Sequence, residues 1–348
     1  MRTILTTVGA SLLSNAAREL NKKLSELTDE DLANYLRTTD PEKASAETNS
    51  LCRLLRNDDL IVFLHSQTQE GERCARLLKN HYESRGYRAE VQAIPDLTYK
   101  ESRFKMRGLR SLVSKMVELI ERERNRRREV IINATGGFKA EIAYATLVGL
   151  LFDVPVYYIH EKFQDIVDMP PVPVSWDYSL FVDYESFFEW IDGDLRPADE
   201  VNKRLKGLPR EVQFLLTEED GYVMLSPAGE AFYQAFKRER AARETVPILL
   251  SRKALDAYSR MDVQNRRRVD DYLGKLRFPV WRAKNSEQPH GCDCFVAPRG
   301  HIDLRIFYYE ADDGSLRVLE ILDHDEYLRL LKRGVSRGAY EEFHPWNG

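Results

Sequence analysis

The sequence predicts two fold classes joined in one chain. An N-terminal α/β part carries a Rossmann-like, mostly parallel sheet. A C-terminal α+β part carries an antiparallel sheet, and a small winged-helix-like connector separates them. Three observations predict this. The first 166 residues alternate β-branched runs with amphipathic stretches, the rhythm of a parallel sheet covered by helices. A proline-rich segment (Pro170, Pro171, Pro173) then interrupts it. The last hundred residues place helical patterns first and strand patterns after, as in α+β domains. At 348 residues the chain has room for two domains and a small third. The expected division is 1–166, 167–245 and 246–348.

Each element has a local reason. RTILTTVGA is β-branched and short, and SLLSNAARELNKKL after it is amphipathic. DDLIVFLHS is a buried-strand run bounded by Asp58–Asp59 and Ser66. GERCARLLKNHYESRG is helical and stops at Gly86, and YRAEVQAI alternates like a strand. FKMRGLRSLVSKMVELIERERN is a helix, EVIINAT a strand, GGFKAEIAYATLVGLLF a helix and VPVYYIHE a strand. In the connector, LPREVQFLL predicts a short helix and DGYVMLSP a hairpin or wing. SPAGEAFYQAFKRERAARE predicts a helix with Ser226 as N-cap and Pro227 at its first position. From 246 onward the reading is a strand, two amphipathic helices, antiparallel strands turning at PRG and ADDG, and a closing helix.

Composition narrows the function. No apolar run approaches 18 residues, and the first residues lack a signal-peptide plan, so the expectation is a cytoplasmic protein without membrane partners. Cys52, Cys74, Cys292 and Cys294 are too few for a disulfide scaffold, and Cys292-x-Cys294 has no second ligand pair, so no metal is expected. Basic and acidic side chains number 26 and 24 in residues 1–165, 9 and 16 in 166–245, and 17 and 16 in 246–348. The acidic middle speaks against DNA binding, because phosphate contact needs cations. The run Arg122, Arg124, Arg126, Arg127, Arg128 closes a helix, where cations are favourable, and reads as a solvated face rather than a nucleic-acid patch.

Three strand ends carry small polar residues: Thr6 to Ser11 followed by Asn15, His65 to Thr68, and Asn133 to Lys139. Each precedes a helix, whose N-terminal N–H groups favour anions, and glycine lets a phosphate approach the backbone. Three such ends on one edge predict a phosphate- or nucleotide-binding rim; ordinary βα turn chemistry is the alternative. TTVGASLLSN, FLHSQTQEGERCARLL with GY-x-x-EV, and NATGGFKAEIA resemble the CRISPR-associated Rossmann-fold (CARF) sensor domains, in that family's order. The resemblance implies a homodimer binding a cyclic oligoadenylate second messenger across its dyad, cyclic tetra-adenylate being the commonest ligand. The positions carried over are Thr7, Gly9, Ser11 and Asn15, then Ser66 and Thr68, then Thr135, Gly136, Gly137 and Lys139.

The C-terminal hundred residues hold four of the seven histidines, among Lys284, Arg299, Arg305 and Arg317. No acidic pair followed by E-x-K marks a metal-dependent nuclease. R-x(4–6)-H spacing occurs at Arg76/His81 and Arg317/His324, in neither case on the helices an RNase of that type needs. Metal-independent RNA cleavage needs help with the 2′-hydroxyl proton, the phosphoryl charge and the 5′-oxygen, which Arg, Lys, His and Tyr supply. The order of elements, the L-R-x-x-Y-Y centre and the tail ILDHDEYLRLL resemble the RelE-type mRNA interferase toxins. That resemblance implies Arg305 as the phosphate-binding arginine, His324 as the basic position of the last strand and Tyr327 as the terminal tyrosine. It also implies lysines or a histidine on the preceding strand, for which Arg299 and His301 are nearest, with Lys284 or His290 as backups. The two resemblances together imply a ligand-activated, ribosome-dependent endoribonuclease of type III CRISPR defence, with mRNA and the ribosome as partners and no cofactor. A CARF-type transcription regulator and a nuclease of the cyclic messenger are the alternatives.

Overall fold

This computed structural model describes residues 1–98, 107–159, 165–193, 195–300 and 302–347. Compactness divides the chain into two units: residues 1–174 with 189–235, and 175–188 with 236–348.

The first unit is built on a six-stranded sheet. Its strands are β1 (Arg2–Val8), β2 (Leu60–Ser66), β3 (Arg88–Ile94), β4 (Glu129–Asn133), β5 (Val156–Tyr158) and β6 (Val167–Met169), in the order β3-β2-β1-β4-β5-β6. The first five are parallel neighbours, and β6 is an antiparallel edge. All seven residues of β1 and of β2 are buried, as expected of central strands covered on both faces. Arg2 is buried too, paired with Asp59 at 2.7 Å where β1 and β2 begin. Val167–Met169, expected to open the linker, instead closes the sheet.

The helices between strands are α1 (Ser11–Glu19), α2 (Asp29–Thr38), α3 (Pro41–Ala44), α4 (Ala46–Leu54), α5 (Gln69–Ser84), α6 (Arg107–Asn125) and α7 (Lys139–Leu151). The helices α2 to α4 occupy a stretch between β1 and β2 that the sequence reading left unassigned. They start on side-chain caps: Thr28 accepts from the Asp31 N–H, Asp40 from Glu42 and Ser45 from Thr48. The same unit holds a three-stranded antiparallel sheet, β7 (Arg196–Pro197), β8 (Leu216–Glu219) and β9 (Tyr222–Leu225), in the order β7-β9-β8. The β8–β9 turn carries Asp220 and Gly221, both at positive φ. Ser226 caps the following helix, Pro227–Glu244, as expected, accepting from the Gly229 N–H at 3.0 Å.

The second unit holds β10 (Ile248–Ser251), β11 (Phe295–Ala297), β12 (Arg305–Glu310), β13 (Leu316–Leu322) and β14 (Phe343–Pro345), ordered β11-β12-β13-β10-β14. The sheet is antiparallel except for β10 beside β13, which run parallel. Helices Arg252–Arg260, Val263–Leu276 and Pro279–Asn285 follow β10. Trp281 is buried there, its indole N–H donating to Asp183 at 2.7 Å. Phe181, Phe188, Phe236 and Phe278 form a ring cluster with centroids 4.4–5.8 Å apart. On the other face of β12 and β13, Phe307 and Leu319 pack with Cys292, Cys294, Val296, Tyr327 and Val335. One expectation is corrected here. His324 is not on the last strand; it is the first residue of helix His324–Leu331, because the Asp323 carboxylate accepts the Glu326 N–H at 2.8 Å and starts a helix.

Candidate functional site

Strand order reverses at β1, with β2 and β3 on one side and β4 and β5 on the other. In such sheets ligands bind beyond the carboxyl ends of the strands at that reversal. Here the β1 and β4 ends meet closely. A Cβ on Gly9 would lie 2.7 Å from the Gly137 nitrogen, and one on Gly136 would lie 2.5 Å from the Thr7 carbonyl oxygen. Gly137 has φ +96°, where a side chain is strained. The glycines thus serve the approach of two loops to each other.

The structure gives the other predicted residues distinct places. Thr7 is buried, and its hydroxyl donates to the Gly136 carbonyl at 2.6 Å, pinning β1 to the loop after β4. Ser11 donates to Glu47 Oε2 at 3.1 Å and accepts from the Ala46 N–H at 3.0 Å. Asn15 donates to the carbonyl of Lys43 at 3.2 Å. Ser66 is buried and bonds the Thr68 hydroxyl at 2.9 Å, while Thr68 caps α5 by accepting from the Gly71 N–H at 3.0 Å. Thr135 donates to Asn133 Oδ1 at 2.8 Å and accepts from the Ile159 N–H at 3.2 Å. Lys139 is exposed at the start of α7, beside the half-exposed Phe138.

The residue that sequence reasoning missed is Glu47. It is fully buried, and its Oε1 accepts the Gly9 N–H at 2.8 Å. Burial pushes its carboxyl above the usual range, against the bonds from Gly9, Ser45 and Ser11. A carboxyl of the chain itself therefore holds two donors of the first loop. Leu51 and Leu54 follow Glu47 by four and seven residues on α4, so the buried stripe of that helix was the available signal.

The arginine run is a solvated face in part, with Arg126 and Arg127 exposed, and in part an ion-pair hub. Arg122, Arg126 and Arg128 converge on fully buried Glu123 at 2.8, 3.1 and 2.9 Å, and Thr3 adds a bond at 3.0 Å. Part of the acidic middle segment is also spent within the first unit. Arg110 on α6 pairs with Glu230 at 2.7 Å and Asp192 at 3.3 Å, and Ser114 donates to Glu230 at 2.8 Å.

In the second unit, β12 begins at Arg305, which is only 5% exposed. Its guanidinium donates to the carbonyls of Gly300, Ile302 and Leu304, holding the loop before the strand. Its carbon lies 5.3 Å from the centre of the Tyr327 ring, and the His324 ring lies 6.2 Å from Tyr327. Tyr327 is buried, and burial raises its hydroxyl above the ordinary range. Arg305, Tyr327 and His324 are thus brought together, His324 being exposed. Lys284 stands apart, in an ion pair with Asp177 at 2.5 Å and a bond to Ser179 at 2.7 Å. Arg299 is exposed, its N–H donating to the Asn285 carbonyl at 2.9 Å; His290 is exposed, and His301 lies outside the described residues.

Fold and site define an α/β unit whose β1 and β4 loops meet at the strand-order reversal, and an α+β unit with a buried arginine on its sheet. Residues 42–172 match the family model described as CRISPR-associated protein (Cas_APE2256). The matched stretch includes Glu47, the Ser66–Thr68 turn and the Thr135–Lys139 loop. Among solved structures, the chain is similar to Can2 from Sulfobacillus thermosulfidooxidans in complex with cyclic tetra-adenylate, at 12% identity over 92% of this chain and 79% of that one, with a TM-score of 0.27. It is also similar to protein VC1899 from Vibrio cholerae, at 10% identity over 91% of this chain and 79% of that one, with a TM-score of 0.28. Among the described residues, no helix is long and apolar enough to cross a membrane, and no three His, Cys, Asp or Glu side chains are grouped to hold a metal.

Proposed function

We propose that this chain is a cyclic oligoadenylate-activated endoribonuclease of type III CRISPR antiviral defence. The first unit, as a homodimer, takes the cyclic ligand (cyclic tetra-adenylate) over the edge formed by Gly9–Ser11, Gln67–Thr68 and Thr135–Lys139. The second unit is a RelE-type mRNA interferase that cuts mRNA on the ribosome, in the cytoplasm. Its chemistry is attack of the ribose 2′-hydroxyl on the adjacent phosphate, with Arg305 neutralising phosphoryl charge and Tyr327 and His324 beside it. Arg299, His301 and Lys284 are its further cations. The observation that carries this reading is the meeting of the Gly9 and Gly137 loops at the strand-order reversal, within a chain whose residues 42–172 match a CRISPR-associated family.

Activation is then a population shift: the ligand binds the cutting-competent arrangement better than the resting one. The buried Arg305, turned onto three carbonyls, is the resting arrangement in this reading. Calorimetric titration with cyclic tetra-adenylate tests the sensor half. The expected result is one ring per two chains, weakened when Lys139 is replaced by Glu; absence of binding by any cyclic oligoadenylate contradicts it.

A further inference from the structure

The sheet face that carries Arg305 holds a second polar group that the sequence did not single out. Glu320 on β13 is in register with Phe307, and Leu322 with Arg305. Residues paired across neighbouring strands share a face, so Arg305 and Glu320 lie on one diagonal of the same face, at roughly 7–8 Å. Glu320 is 7% exposed. The Tyr340 hydroxyl donates to its Oε1 at 2.7 Å, and Lys253 Nζ donates to the same oxygen at 3.3 Å. Oε2 has no partner among the described residues. Glu320 also lines a cavity of about 250 Å³ whose other walls include Glu326, Arg329 and Arg333. One carboxylate oxygen is anchored, the other is open to a cleft, and two guanidinium groups stand on the cleft wall.

We propose that Glu320 is the group that takes the 2′-hydroxyl proton in the RNA-cleaving step, with Arg329 and Arg333 holding the RNA backbone beside the scissile phosphate that Arg305 neutralises. This rests on the ribonuclease reading above. In the step, the 2′-oxygen–phosphorus bond forms and the phosphorus–5′-oxygen bond breaks. The 2′-hydroxyl proton passes to Glu320 Oε2, and the departing 5′-oxygen takes a proton from a water molecule. Glu320 then gives its proton to the hydroxide left behind, and the RNA is left with a 2′,3′-cyclic phosphate. A purely structural Glu320 would only tie Tyr340 and Lys253 together, and Glu320→Gln separates the two roles. Glutamine keeps an oxygen for both donors but accepts no proton.

The test uses the full-length chain with cyclic tetra-adenylate in a purified translation system primed with one defined mRNA. Single-turnover cutting is followed across pH, and the thermal midpoint is measured alongside. Glu320→Gln is expected to slow cutting about 100-fold or more, with KM little changed, and to lose the rising acid limb of the pH profile. Arg329→Ala and Arg333→Ala, at exposed positions, are expected to raise KM and leave that limb in place. Cutting by Glu320→Gln within a few-fold of wild type, with the same pH profile, overturns the assignment, as does an unchanged KM in both arginine variants. A wild-type chain that cuts nothing overturns the ribonuclease reading itself, a different result.

Discussion

Two buried glutamates in the first unit titrate in opposite directions. Glu47 has its carboxyl raised by burial, so the fold favours its protonated form. Its contribution is fully present below the ordinary glutamate range and is lost as pH climbs through the raised value. Glu123 is pushed up by burial too, but bonds from Arg128, Thr3 and Arg122 outweigh that and leave it lowered. Its contribution is present above the ordinary range and lost as pH falls. Denaturant melts therefore have a signed expectation: the stability of Glu47→Gln relative to wild type grows as pH rises above the ordinary glutamate range, and a constant gap contradicts the account. Replacing Glu123 by Ala takes the shared acceptor from the part-exposed Arg122, Arg126 and Arg128 and is expected to cost about 1–3 kcal/mol. A loss below about 1 kcal/mol in the same melts would show that the hub is a surface ion pair.

At the scale of elements, the loops after β1 and β4 stand or fall together. An alanine methyl at Gly136 would lie 2.2 Å from Glu47 Oε1 and 2.5 Å from the Thr7 carbonyl oxygen. Overpacking of that kind costs about 1–3 kcal/mol. Gly136→Ala is therefore expected to lower the melting temperature by several degrees and to weaken cyclic tetra-adenylate binding at least tenfold. Full stability with full binding would show that the approach is not tight. The strand rhythm of this unit was legible because apolar runs and βα turn residues are local signals. The three helices α2 to α4 were not, since their role depends on Glu47 meeting Gly9 across 38 positions. Likewise His324 read as a strand residue because IFYYE and LRVLEIL continue an alternating pattern up to it, and only the Asp323 cap ends that pattern. Glu320 was invisible for a related reason. Its place beside Arg305 is a matter of strand register, which no spacing along the chain records.

On the scale of the whole molecule, the charge pattern acquires a cause. The acidic middle is partly the counter-charge of α6, through Glu230 and Asp192 on Arg110. The five-arginine run is partly absorbed by Glu123. The central claim joins ligand sensing in one unit to RNA cutting in the other, and a reconstituted translation assay tests it most directly. Wild type and Arg305→Ala are compared with and without cyclic tetra-adenylate, and cuts are mapped by primer extension. The account predicts cuts at ribosome-occupied codons only when the ligand is present and only with Arg305 intact. Absence of cutting with any cyclic oligoadenylate, or equal cutting by Arg305→Ala, would contradict it.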